Sequence, residues 1–203
     1  MYGDGSRGLQ DAFDSRRLAD RLEELTVHDE LNDDDIDLIG TQSTVWLATV
    51  DTEGWPDVSY KGGDPGFVQV ISPTEVRIPI FNGNGQWRSL GNIVDTGKVA
   101  LLFVDPERPW RIRIHGTAEV LTGTTDLAGL VGAQAVVKVT IGRVFPNCGR
   151  YIHQDGVISK NVPRDDVSAP IPEWKTFEFI RDALPAKDLA EVEAAEADGE
   201  LND

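Results

Sequence analysis

Trp110-Arg111-Ile112-Arg113-Ile114-His115-Gly116-Thr117-Ala118-Glu119-Val120-Leu121 carries the cleanest two-residue alternation in the chain. Trp110, Ile112, Ile114, Gly116, Ala118 and Val120 point one way; Arg111, Arg113, His115, Thr117 and Glu119 point the other, as on a strand. Just upstream, Val99-Ala100-Leu101-Leu102-Phe103-Val104 is apolar throughout and reads as a strand buried on both faces. Downstream, a short helix is expected around Thr124–Val131 and a long strand from about Ala135 to Phe145. Nearer the N-terminus, Thr44–Val50 is rich in β-formers, and Asp51-Thr52-Glu53-Gly54 reads as a hairpin turn into Pro56–Tyr60. Turns at 62–66 and at Ser72-Pro73 separate two further strands, Phe67–Ile71 and Val76–Ile80. Strands joined by short turns with one inserted helix imply a mainly β, α+β fold: an antiparallel sheet closed into a small barrel with peripheral helices.

The flanks are different. A helix from Asp14 or Ser15 to about Leu25 places Leu18, Leu22 and Leu25 on one stripe. A second starts at Asn32, where Asp33, Asp34 and Asp35 complement the helix dipole, and Gly40 stops it. After Phe145 the text is loop-like, with one more helix over Glu173–Ala183 and an acidic Ala/Glu-rich tail that reads as a weakly anchored helix or disorder. The expected organisation is an N-terminal helical extension at 1–40, a barrel domain at 41–150, and a loop, helix and acidic tail at 151–203.

The net charge of −16 sits at the ends. Residues 1–40 carry 12 acids and 4 bases, residues 182–203 carry 8 acids and 1 base, and the middle holds 15 acids against 14 bases. A nucleic-acid partner is excluded, since no basic patch is available to meet a phosphate backbone. One cysteine, Cys148, rules out an internal disulfide framework and a multi-thiolate metal site. No apolar run approaches the roughly 20 residues of a membrane helix, and residues 1–10 lack a signal-peptide core. The expectation is a cytoplasmic protein without membrane association.

Phe81-Asn82-Gly83-Asn84-Gly85-Gln86-Trp87-Arg88-Ser89-Leu90-Gly91-Asn92-Ile93 lies between two strands. A Gly-rich loop opening a helix with Arg and Ser in its first turn can hold a phosphate, through close backbone approach, the helix start and the guanidinium fork. A plain turn and helix between two strands fits the same residues.

Several segments together resemble the FMN-binding split-barrel family typified by pyridoxamine 5′-phosphate oxidase, over about three-fifths of the chain from Asp34 to Tyr151. They are Trp46–Ser59, Gly62–Val68, Gly83-Asn84, Ser89-Leu90-Gly91-Asn92-Ile93, Val99–Val104 and Arg113–Ala118, in the family's order. The resemblance implies a six-stranded split barrel and a homodimer with two FMN molecules in clefts between the subunits. It implies that Ser59, Tyr60, Lys61 and Gly62 line the flavin ring and ribityl chain, with Lys61 near the phosphate, and that Asn82, Gly83 and Asn84 face the cofactor. Trp87, Arg88 and Ser89 align with a Ser-Arg-Lys run that binds phosphate; Arg88 fits its central Arg, whereas Trp87 and Ser89 depart from it. Arg111 matches a polar position that the partner subunit offers to the ring. The Arg-containing segment with which the oxidase closes on its substrate has no match in this Glu/Ala-rich end, so pyridoxamine phosphate is not the expected substrate.

The resulting expectation is an FMN-dependent oxidoreductase acting on a small molecule, whose redox chemistry resides in the cofactor. No catalytic residue is nominated. The alternatives are a deazaflavin (F420)-dependent reductase on the same barrel and a non-catalytic flavin- or haem-binding module using His115 or His153. His115 otherwise reads as a solvated or dimer-facing residue, His28 as exposed and Cys148 as a packed small residue. Arg150 and Tyr151 read equally as reaching a partner's cofactor or as dimer packing. The three histidines are too scattered to form a metal site.

Overall fold

The structure, a computed structural model, describes residues 1–105, 107–154, 156–165 and 169–199. The chain divides into two compact units: residues 28–157, and residues 1–27 together with 158–203.

The larger unit is built on seven strands: β1 (Thr44–Val50), β2 (Pro56–Gly62), β3 (Gln69–Ser72), β4 (Glu75–Phe81), β5 (Lys98–Val104), β6 (Arg111–Leu121) and β7 (Ala133–Pro146). They form one sheet in the order β2-β1-β5-β6-β7-β4-β3, and every neighbouring pair is antiparallel. All seven strand segments read from the sequence form. The count exceeds the six of the resemblance because four-residue β3 adds an edge strand on β4. Val45, Leu47, Val76, Ile78, Leu101, Phe103, Ile112, Ile114, Val137 and Val139 are buried in one core, which Leu38 and Ile39 join from helix α3 (Asp33–Thr41) and Leu90 and Ile93 from helix α4 (Arg88–Thr96).

Polar side chains tie α4 to the sheet. Asn92 donates to the Thr49 hydroxyl at 3.0 Å in a buried contact, and Thr96 donates to the Val50 carbonyl at 3.0 Å. At the start of α3 the Asn32 side chain accepts from the Asp35 N–H (2.9 Å), and the Asp35 carboxylate accepts from the Asn32 N–H (3.1 Å). This reciprocal cap satisfies two donors that a helix start otherwise leaves open. Asp35 also meets His28 Nε2 at 2.7 Å, and the His28 backbone bridges Val144 on β7.

Four sequence expectations are corrected. β5 is not buried on both faces: Val99, Leu101 and Phe103 are buried, while Ala100, Leu102 and Val104 are only partly covered. Residues 124–129 form turns instead of a helix, with i→i+3 bonds at Asp126, Ala128 and Leu130 and left-handed glycines at Gly129 and Gly132. The helix expected over Glu173–Ala183 is broken by extended backbone at Phe177 into a 3₁₀ turn (Glu173–Thr176) and a four-residue helix, α5 (Glu178–Arg181). His28 is half-buried against Asp35, not exposed.

The smaller unit contains helices α1 (Asp4–Ala12), α2 (Arg16–Thr26), α5 and α6 (Ala186–Asp198). Its core is Leu18, Ile180, Leu184 and Val192, flanked by Leu22, Trp174 and Leu189. Arg21 pairs with Asp182 at 3.0 Å, and Lys175 with Asp188 at 2.6 Å. Val192 and Ala195 thus anchor the acidic tail as a helix. No helix among the described residues is long and apolar enough to cross a membrane.

Candidate functional site

Strand β2 lies at the sheet edge and exposes Val58 and Tyr60 on one face. Strand alternation puts Asp57, Ser59 and Lys61 in file on the other. That file, the loop after β4 and the first turn of α4 enclose a cleft of about 260 Å³. Lys61 and Ser59 line it from the strand, Gly83 and Asn84 from the loop, and Trp87, Arg88 and Ser89 from the helix start.

The loop reaches the helix through local hydrogen bonding and an unusual backbone. The Asn84 side chain accepts from the Gln86 N–H at 3.0 Å, Gly85 is left-handed at φ 75°, and Trp87 is left-handed at φ 53°. A left-handed conformation is uncommon for a bulky side chain and costs of order 1–3 kcal/mol, so such residues concentrate at functional sites. Here it turns the chain so that Arg88 opens α4. No side chain caps that helix start, and its first intrahelical bond runs from the Gly91 N–H to the Trp87 carbonyl. The N–H groups before Gly91 lie in the first turn, where a helix has no carbonyls of its own to offer.

The floor is a chain of short polar side chains. Ser89, buried, donates to the Ser59 hydroxyl at 3.0 Å, and Ser59 donates to the Leu47 carbonyl at 3.3 Å. Arg88 is well exposed, with Nε 3.6 Å from the Asp57 carboxylate. Burial lowers the pKa of the Lys61 ammonium, and the negative charge of Asp57 opposes that shift. Two cations, hydroxyls and an open helix start therefore meet in one concavity, the donor set that a buried phosphate needs.

Of the candidate residues, Ser59, Lys61, Gly83, Asn84, Trp87, Arg88 and Ser89 are brought together in the cleft. Tyr60 is not: it faces the other side of the sheet, edge-on to Trp46 with ring centres 5.8 Å apart. Gly62 closes β2 beyond Lys61, and Asn82 begins the loop without lining the cleft. Arg111 opens β6, opposite Val104, with its Nε buried and lacking a hydrogen-bond partner. Asp57 was missed, although its spacing of two and four residues from Ser59 and Lys61 on a strand was the available signal.

Elsewhere His115 packs edge-on against Phe145 at 5.0 Å, and burial together with Arg143 and Arg113 lowers its pKa. Arg150 lies 5.7 Å from the Tyr151 ring, and Cys148 is exposed, not packed as its sequence context suggested. Among the described residues no three His, Cys, Asp or Glu side chains form a metal-binding group.

No curated protein matches the chain. Among solved structures, HupZ of Group A Streptococcus is 28% identical and covers 64% of this chain and 98% of its own, with a TM-score of 0.47. A candidate pyridoxamine 5′-phosphate oxidase from Lactobacillus delbrueckii is 27% identical over 60% of this chain and 99% of its own, at a TM-score of 0.49. An FMN-binding protein from Syntrophomonas wolfei is 13% identical over 70% and 95%, at 0.42. The sequence profile described as pyridoxamine 5′-phosphate oxidase matches residues 34–148, more than half of the chain and the whole stretch from α3 through β7, cleft included. On that match the chain belongs to the pyridoxamine 5′-phosphate oxidase family.

Proposed function

We propose that this protein is an FMN-dependent oxidoreductase acting on a small molecule, with the FMN phosphate held in the cleft between β2 and α4. The observation that carries the reading is the convergence of Lys61 and Arg88 on one concavity beside the uncapped start of α4. An FMN phosphate is close to a dianion, so it needs both cations and several donors when partly buried. Ser59 and Ser89 line the same space, and the first-turn N–H groups of α4 supply neutral donors. FMN would supply hydride or single-electron transfer through its ring. The chain's own task is to bind and orient the cofactor, and residues 41–150 are the domain proposed to do so.

The proposal extends to a homodimer with cofactor sites at the subunit interface. The homodimer is supported by the outer face of the sheet, where directly paired residues run Tyr60, Trp46, Leu102, Arg113, Phe145 and, in the next row, Val58, Ala48, Ala100, His115, Arg143. Paired residues share a face. Much of this face is apolar and only partly covered within one chain. We place the protein in the cytoplasm, where a lone exposed thiol such as Cys148 stays reduced.

The test is the identity of the bound cofactor after gentle purification. A flavin spectrum and release of FMN on denaturation support the proposal. A colourless protein whose thermal stability is raised by F420 and not by FMN rejects it, because only the tighter binder stabilises the fold substantially.

A further inference from the structure

We infer that Asp57 sets the affinity of the cleft for phosphate, acting as a built-in competitor that holds Arg88 and offsets one of its two positive charges. The inference rests on the reading of the cleft as a phosphate site. Asp57 Oδ1 lies 3.6 Å from Arg88 Nε, and Oδ2 lies 3.5 Å from the Ser89 hydroxyl, whose single proton goes to Ser59 at 3.0 Å. The guanidinium suited to grip an anion is thus already turned toward a carboxylate of the chain itself. Lys61 feels the same charge, four residues further along β2.

Among the described residues nothing beyond Lys61 and Arg88 balances Asp57. Facing it are Lys61 from its own strand and Arg88 from α4, whose other ionisable residue, Asp95, lies in the last turn. Strand β1, which pairs with β2, carries no ionisable residue, and neither does the loop from Asn82 to Trp87. The cleft therefore presents a formal charge of one positive unit where Lys61 and Arg88 alone would present two. A phosphate dianion must draw Arg88 away from Asp57 and then sit beside the remaining carboxylate. The pair is long and its Arg88 side is exposed, and such pairs are weak. Arg88 is accordingly free to change partner, but like-charge repulsion between phosphate and Asp57 persists in the filled cleft. The result is a cofactor held loosely enough to exchange.

The experiment compares the full chain with D57N, and with D57S should D57N fail to fold, using three probes at low ionic strength. FMN and riboflavin binding are followed by flavin fluorescence, and inorganic phosphate binding by tryptophan fluorescence. The expected result is about tenfold tighter binding of FMN and of inorganic phosphate to the variant, with riboflavin, which lacks the phosphate, unchanged. Binding of FMN and phosphate that is equal or weaker in the variant overturns the inference, as does an equal gain for riboflavin. If FMN binds neither protein while phosphate binds D57N more tightly, the flavin reading falls and the role of Asp57 stands. If neither probe binds either protein, both fall.

Discussion

Lys61 and Arg88 reach one cleft from different elements, and the two differ in their surroundings. Lys61 is half-buried at the end of an edge strand, whereas Arg88 is mostly exposed at a helix start. Removing either cation should cost a charge-assisted hydrogen bond, about 1.5–3 kcal/mol, or roughly ten- to a hundredfold in FMN affinity. R88A and K61A titrated with FMN check this, and wild-type affinity in both variants would reject the phosphate site. Lys61 also predicts a pH dependence. Burial lowers its pKa, so it loses its charge below the ordinary lysine value of about 10.4. FMN affinity should therefore decline with rising pH before an exposed lysine would titrate, and K61R should shift that decline to higher pH. Both cations were legible as candidates because a phosphate restricts its partners to a short list of residue types. Asp57 was not, since an acid in a phosphate cleft runs against that list. The His28–Asp35 contact was hidden too: His28 lies outside α3, so no helical spacing relates it to Asp35.

At the scale of the element, alternation made the strands readable, because one buried face imposes period two on the sequence. The same logic overreached at β5, where residues apolar on both sides imply double burial but one side is only partly covered. Helices were less legible. The segment at 124–129 carries helix-compatible residues, yet Gly129 and Gly132 adopt left-handed backbone and leave a series of turns. Helix α1 buries no residue, so it left no apolar stripe to find. β6 and β7 form the longest pairing in the sheet, and their register shifts between His115 and Gly116. At that irregularity a Cβ on Gly116 would sit 2.3 Å from the Thr140 carbonyl oxygen, which is backbone and cannot rotate away. G116A should then destabilise the domain by about 2–3 kcal/mol, as overpacking does. Thermal melts should show a fall of about 4–12 °C, and an unchanged melting temperature would mean that the bulge absorbs the methyl group. N32A tests the start of α3 in the same way, with a smaller expected loss of about 1 kcal/mol.

At the scale of the whole molecule, the sheet's outer face bears on assembly. Val58 and Tyr60 are 65% and 60% exposed, and between them and Phe145 lie Trp46, Ala48, Ala100 and Leu102, followed by Arg113 and His115. An apolar patch of this kind marks an interaction surface. A groove of about 340 Å³ crosses it, lined by Ala48, Ala100 and His115. If a second copy covers the face, the mass in solution at neutral pH should be twice 22.2 kDa. L102E, which puts a charge at its centre, should give a folded monomer with weakened FMN binding. His115 adds a pH dependence of definite sign. Burial first, then Arg143 and Arg113, depress its pKa, so the neutral imidazole is the form that the folded chain favours. Stability from this group is present above the ordinary value of about 6.5 and is lost as pH falls through the lower folded value. Protonation would also place a third positive charge beside two arginines on the face to be covered. The dimer should therefore dissociate as the solution is acidified below about pH 6.5, and H115Q should shift that transition toward lower pH. Light scattering across the titration decides the matter: a single-chain mass at pH 8 that L102E leaves unchanged would remove this face as the interface.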